Sequence, residues 1–364
     1  MKRFKKVIFY LFGFLFLFTV VGFLWLWMIS PGISSPILDT KGEQLTNSIS
    51  TIEKVAIGGL EQSLIIRGAD KSKPLILYLH GGPGSPEFAF MKKYNSAIEN
   101  DFVMVYWEQR GSGKSYSKEI PVNTMNLNQF IEDTRVLSEI LIKRFNKKKI
   151  YLLGHSWGSA LGIQTVAKYP DYYYAYLGVG QVADQYKAEK ISFEWVKQQA
   201  QIRQDKKAID KLSKINFPTP NANGKDWMDY LMIERQYVTK YGGGASHNMT
   251  SMLPVLATLL NTKEYTISDK INYMKGSLFS LENLWEDVVK SDLNTKIDSI
   301  QIPVYVFQGV HDYQTPYAIS KSFFDQLKAS KKQFFSFENS AHSPILEEPK
   351  KFNTILKKIS KDLD

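Results

Sequence analysis

The residues Gly154-His155-Ser156-Trp157-Gly158 place glycines two before and two after a serine, the G-x-S-x-G spacing of a nucleophile elbow. A hydroxyl in such a turn is forced into a strained backbone that lifts it clear of the sheet, where a base and a substrate both reach it. The flanking glycines let a strand and a helix approach that closely. The context fits: the apolar run Ile150-Tyr151-Leu152-Leu153 predicts a buried strand. The small and apolar residues that follow predict a helix to about Ala167, ahead of the break at Tyr169-Pro170.

A serine hydroxyl is a weak nucleophile and needs a base, itself oriented by a third group. Chains with this elbow supply them in the order serine, acid, histidine. Five histidines are available. His80 precedes the serine, His155 adjoins it, and His247 falls in a helical segment outside the strand pattern. His311 follows the predicted strand Ile302 to Phe307, where the acid belongs, and its neighbour Asp312 fits that role. His342, on the small-residue loop Asn339-Ser340-Ala341-His342-Ser343-Pro344 after the last strand, is the expected base. An oxyanion site requires backbone N–H donors. Trp157 should give one; the loop His80-Gly81-Gly82-Pro83-Gly84 should give the other. Pro83 has no N–H, so Gly82 is the expected donor, with Gly81 the alternative.

The elements that must hold these groups alternate strand and helix. Ile49–Ile57 and Ser63–Ile66 predict a leading antiparallel pair. Pro74–Leu79, Phe102–Trp107, Tyr174–Val179, Ile302–Phe307 and Phe334–Phe337 predict further strands. Asn128–Phe145 has helical spacing, and Pro349–Ile359 predicts a closing helix. This is an α/β pattern, a mainly parallel sheet covered by helices on both faces. Residues 184–296 interrupt it with a helical pattern rich in Lys, Gln, Tyr and Met, an expected inserted cap. The core is then divided into residues 47–183 and 297–364.

Val7–Met28 carries no charge and is long enough to cross a bilayer as a helix. A secretory signal has a shorter apolar region of about 7–15 residues. The run here continues through Leu24-Trp25-Leu26-Trp27-Met28, so an uncleaved anchor is expected over residues 7–29, with residues 30–46 as a tether. Lys2, Arg3, Lys5 and Lys6 precede it, which predicts a cytoplasmic tail over residues 1–6 and a body outside the cell membrane.

The formal charge of +10 is therefore no nucleic-acid signature: four of it precede residue 7, and the other 42 basic and 36 acidic residues are dispersed. The absence of cysteine excludes disulfides, a thiolate zinc site and a cysteine nucleophile. Gly111-Ser112-Gly113-Lys114-Ser115 imitates a phosphate-binding loop, but Glu108 occupies the position of its first glycine. Nucleotide, metal and cofactor are not expected.

His80-Gly81-Gly82-Pro83-Gly84, Trp107-Glu108-Gln109-Arg110-Gly111-Ser112-Gly113-Lys114-Ser115 and Gly154-His155-Ser156-Trp157-Gly158-Ser159 together resemble the proline iminopeptidase family of α/β-hydrolases. The resemblance spans about residues 47–183 and 297–364. It implies Ser156, Asp312 and His342 as a triad, Gly82 and Trp157 as oxyanion donors, and removal of N-terminal residues, often proline, from peptides. It also implies cap carboxylates that hold the substrate amine, for which Glu194, Glu234 and Glu286 are candidates. Three positions depart from the family pattern: Glu108 in place of Asp, His155 in place of Gly, and Ala341 in place of Gly. An esterase or other amidase with the same triad is the alternative, and a catalytically silent surface binding module is a third reading.

Overall fold

Runs rich in Val, Ile, Leu, Tyr and Phe form the strands Ile49–Ile57 (β1), Leu60–Gly68 (β2), Leu75–Leu79 (β3), Val103–Glu108 (β4), Ile150–His155 (β5) and Tyr173–Val179 (β6). After a helical interval come Ser299–Ile300 (β7), Val304–Gly309 (β8), Lys328–Ala329 (β9) and Lys332–Phe337 (β10). In the computed structural model, which describes residues 2–363, eight of them make one sheet in the order β1-β2-β4-β3-β5-β6-β8-β10. Met1 and Asp364, at the ends of the expected tail and core, lie outside the described residues, as do the side chains of Lys2, Arg3 and Lys5.

β1 and β2 pair antiparallel, β2 joins β4 antiparallel, and every later neighbour is parallel. The leading pair and the mainly parallel sheet are as the sequence predicts. β3 shows why the central strands read as unbroken apolar runs. Leu75, Leu77 and Leu79 face one core, and Ile76 and Tyr78 the other. Helices Leu127–Arg144 (α3) and Trp157–Lys168 (α4) cover the first face through Phe130, Leu137, Leu161 and Ile163. The helix Phe88–Asn95 (α2) and the C-terminal helix Pro349–Lys361 cover the second through Phe88, Met91, Phe352 and Leu356.

Between β6 and β7 the chain forms helices Gln185–Ile202 (α5), Lys206–Ser213 (α6), Gly224–Lys240 (α7), Leu253–Leu260 (α8) and Ile267–Val289 (α9). α9 begins with a capping box between Thr266 and Asp269. It lies against the loop after β4: Ser280 Oγ donates to the Gly111 carbonyl at 3.0 Å, and a Cβ on Gly276 would stand 2.7 Å from that same oxygen. Only glycine allows this approach.

At the N-terminus, Lys2–Met28 (α1) is one helix, and its stretch Lys6–Met28 is long and apolar enough to cross a membrane, with none of it buried against the body. The segment read as a tether is pinned over its first half. Ser30 is buried, Gly32 N–H donates to the Lys263 carbonyl at 2.9 Å, and Arg67 Nη1 donates to the Ser35 carbonyl at 2.7 Å and to Ser50 Oγ at 2.6 Å. Arg67 is buried and held from its other side by Glu99, Nε to Oε2 at 2.8 Å.

Candidate active site

β5 runs straight into α4, and Ser156 sits at the junction with φ +56° and ψ −121°. A non-glycine residue is uncommon there and costs on the order of 1–3 kcal/mol, held by its surroundings. The surroundings are tight. A Cβ on Gly154 would stand 2.1 Å from the Gly158 carbonyl oxygen, and one on Gly158 would stand 2.0 Å from the Leu79 carbonyl oxygen. The two glycines therefore let β5, α4 and the end of β3 meet backbone to backbone. Ser156 N–H is fixed to the Val179 carbonyl at 2.9 Å. Trp157 opens α4, so its N–H falls among those that a helix leaves without an intrahelical acceptor.

The loop after β3 passes directly over this junction. A Cβ on Gly81 would lie 3.1 Å from Ser156 Cβ, and Gly82 takes φ +112°, which L side chains rarely adopt. His80 and Gln109 hold the loop. Burial pushes the His80 imidazole down to about 4, leaving it neutral. Its Nδ1 donates to the Gly81 carbonyl at 2.8 Å and its Nε2 accepts from Gln109 N–H at 3.2 Å. The Gln109 side chain donates to the His80 carbonyl at 3.2 Å and accepts from Trp157 Nε1 at 3.1 Å. The segment that imitates a phosphate loop is thus part of the scaffold. Arg110 pairs with buried Asp133 at 2.9 Å and donates to the Gly58 carbonyl at 2.8 Å; Lys114 pairs with Asp269 at 2.5 Å. Glu108 accepts the Lys114 N–H at 2.5 Å, and a Cβ on Gly113 would fall 2.1 Å from the same carboxylate oxygen. The longer acid fits because residue 113 is glycine.

Asp312 lies in the turn after β8 and His342 in the loop after β10, and the structure brings them together with His342 Nδ1 2.8 Å from Asp312 Oδ2. Four other donors converge on the buried carboxylate. Gln314 N–H and Thr315 N–H reach Oδ1 at 2.8 and 2.9 Å, and Thr315 Oγ1 and Gln308 Nε2 reach Oδ2 at 2.7 and 2.8 Å. The far nitrogen, His342 Nε2, is buried and has no hydrogen-bond partner among the described residues. The ring also packs beside the elbow: its centroid is 4.9 Å from that of His155, and a Cβ on Gly180 would stand 3.0 Å from its Nδ1 and Cε1. Glu347 secures the loop by accepting from Ala341 N–H at 2.9 Å and Ser343 N–H at 3.3 Å. It also accepts from Ser246 Oγ at 2.9 Å and His247 N–H at 2.6 Å on the segment after α7.

Another pair, between half-buried Glu87 and buried His155, adjoins these. Glu87 and His155 meet at 2.6 Å, Oε1 to Nδ1, while His155 Nε2 faces the His342 carbonyl at 3.0 Å. Burial alone would lower His155, but the Glu87 carboxylate outweighs it and holds the imidazole above its ordinary value.

This assembly has close counterparts. The family description "Serine aminopeptidase, S33" matches residues 71–214. The probable aminopeptidase YbaC of Bacillus subtilis (strain 168) is 36% identical over 311 residues, covering 85% of this chain and 96% of that protein. The chain belongs to the proline iminopeptidase-like serine aminopeptidase family of α/β-hydrolases. The proline iminopeptidase of Lactobacillus crispatus (strain ST1) is 25% identical over 84% of this chain and 96% of its own length. The crystal structure of a proline iminopeptidase from Mycobacterium smegmatis superposes with a TM-score of 0.60 at 15% identity, covering 85% of this chain and 98% of that one, a likeness of fold.

Within this aminopeptidase fold the candidate cap carboxylates part ways. Glu286 is half-buried and paired with Lys290, and on a helix it points about 100° away from its buried neighbour Trp285. Glu194 is exposed and paired with Lys197, on the rim of an open cleft of about 610 Å³ that includes Trp195 and Tyr313. Glu234 is fully buried; it accepts from Ser192 Oγ at 2.5 Å and pairs with Arg235. Burial pushes its carboxyl up to about 7, against the pull of Arg235. The sequence reading missed its partner. Glu189, also fully buried, pairs with the same guanidinium and accepts from Gln185 Nε2 at 2.7 Å, while its Oε2 has no hydrogen-bond partner among the described residues. Gln185 also donates to the Gln314 carbonyl at 3.1 Å, in the Asp312 turn. The i, i+4 pair Gln185 and Glu189, on the first helix after β6, was the available signal.

Proposed function

We propose that this hydrolase acts as an acyl-transferring aminopeptidase, with Ser156 as nucleophile, His342 as general base and acid, and Asp312 as the group that orients the imidazole. The observation carrying this reading is the Asp312–His342 contact at 2.8 Å, with the opposite ring nitrogen buried and unpartnered among the described residues and the ring packed against His155, the neighbour of strained Ser156. Ser156 Oγ attacks the scissile carbonyl and its proton passes to His342 Nε2. The carbonyl oxygen, now negative, accepts from the N–H groups of Trp157 and Gly82. Collapse expels the amine, protonated by His342, and water repeats the sequence on the acyl-enzyme. Free peptide amines are cations in neutral water. Two buried carboxylates, Glu189 and Glu234, share the single Arg235, leaving negative charge to receive one. The enzyme is held in the cell membrane by α1, with its body on the outer side.

The test compares a proline arylamide bearing a free amine with a short-chain acyl ester, using the full chain in detergent. Arylamide cleavage is expected, lost on N-acetylation of the substrate and weakened chiefly in KM by Glu189→Gln. Ser156→Ala should lower kcat by a factor on the order of 10⁶ without loss of fold. Cleavage of the ester alone would discard the peptidase reading, and activity retained by Ser156→Ala would discard the nucleophile.

A further inference from the structure

α9 has two faces of opposite use. Its buried side carries Gly276, Ser277 and Ser280, which touch the loops holding the elbow; Ser277 Oγ donates to the Gly84 carbonyl at 2.7 Å. On the other side Ile271, Met274 and Leu278, spaced i, i+3 and i+7, form one apolar stripe in solvent, at 49%, 55% and 47% exposure. α8, joined to α9 by residues 261–266, also exposes Leu253 at 72% and Leu256 at 48%. Exposed apolar side chains grouped in this way mark an interaction site.

The N-terminal segment says what covers it. α1 ends at the junction of these same two helices. Lys270 Nζ donates to Ser30 Oγ at 2.6 Å and to the Leu260 carbonyl at 2.7 Å, and Gly32 is bonded to Lys263. At 1.5 Å per residue along a helix, Leu256 and Leu278 lie within about 12 Å of that point. The surface of a bilayer that α1 crosses therefore comes within reach of the stripe. Lys263 and Lys275 are exposed at its border, where anionic headgroups would meet them.

We infer that the α8–α9 face seats on the lipid surface, so that the body rests in one orientation on the membrane rather than swinging from a tether. The inference rests on the reading of α1 as a membrane span. Its partner is the interface of a bilayer containing anionic lipid, entered by Leu253, Leu256, Ile271, Met274 and Leu278.

The sequence has no cysteine, so single introduced thiols report without background. The full chain is reconstituted in phosphatidylcholine–phosphatidylglycerol vesicles with a nitroxide at Leu256→Cys, Met274→Cys, Phe16→Cys in α1, or Met232→Cys, an exposed position on α7. Relaxation by oxygen is compared with relaxation by a water-soluble nickel complex. The expected result is an oxygen-to-nickel ratio several-fold higher at Leu256, Met274 and Phe16 than at Met232. A lipid-like Phe16 with Leu256 and Met274 matching Met232 overturns the seating and leaves the anchor standing. A water-like Phe16 overturns the anchor and the seating with it. Mutual broadening of the Met274 labels that disappears on dilution with unlabelled protein would identify a second copy as the occupant, and also overturns the inference.

Discussion

His155 stands between two groups that only accept hydrogen bonds, the Glu87 carboxylate at Nδ1 and the His342 carbonyl at Nε2. Both contacts are satisfied at once only when both ring nitrogens carry protons. The imidazolium so formed is the counter-ion of Glu87, whose carboxyl burial would raise but which His155 holds below its ordinary value. The pH dependence follows from those directions. The His155 share is fully present below its ordinary value of 6.5 and is lost as pH rises through its elevated one. The Glu87 share is present above 4.5 and is lost as pH falls through its depressed one. A double-mutant cycle of Glu87→Gln and His155→Gln, read by urea unfolding, should therefore give its largest coupling between those values, about 3 kcal/mol for a buried pair. The coupling should shrink toward alkaline pH. Coupling of equal size at alkaline pH would mean a neutral pair.

At the scale of elements, the site depends on how closely β5, α4 and the end of β3 approach one another. A methyl added at Gly158 meets the Leu79 carbonyl, which belongs to backbone and cannot rotate away; one added at Gly162 meets the edge of the Tyr176 ring at 2.9 Å. Gly158→Ala should cost about 3 kcal/mol and Gly162→Ala distinctly less, seen as a larger fall in Tm for the first. Equal effects would show that α4 shifts freely on the sheet. The same closeness explains what could be read from the sequence. Contacts made within a turn leave local signatures: the G-x-S-x-G spacing marks the elbow, and apolar runs mark strands buried on both faces. Chain order and elimination singled out Asp312 and His342 because only five histidines compete. Glu87, Gln109 and Glu189 went unread because partners of theirs lie far along the chain, and Glu347 because its contacts with Ala341 and Ser343 depend on the fold of the loop. Glu189 meets Arg235, 46 residues away, and Glu87 meets His155, 68 residues away. For Glu286 the sequence neighbour Trp285 is no guide to direction, since on a helix the two side chains point about 100° apart.

For the whole molecule, the proposal that α1 spans a membrane carries a prediction about the side on which the body lies. Four basic residues precede the apolar run of α1, whereas residues 31–50 carry Lys41 as their single cation beside Asp39 and Glu43. Cytoplasmic flanks are enriched in Lys and Arg, so on the proposed reading of α1 as a membrane span the N-terminus is expected inside and the body outside. The linker offers a way to check this. Residues 30–36 are pinned, but Lys41 lies in an exposed turn closed by Asp39, whose Oδ1 accepts from the N–H groups of Lys41 at 2.8 Å and Glu43 at 2.9 Å. Trypsin added to intact cells should therefore shorten the chain by cleavage after Lys41 while the packed body survives. A chain cut only after the cells are lysed would put the body inside. The destination of the cut body carries separate information. A shortened chain in the supernatant would show that neither the α8–α9 face nor the pinned residues 30–36 hold it to lipid; where it sediments, release of the equally cut Met274→Asp variant would assign the attachment to the α8–α9 face. The site of cleavage thus reports topology, and the partition of the product reports whether one helix or a whole face makes the proposed attachment.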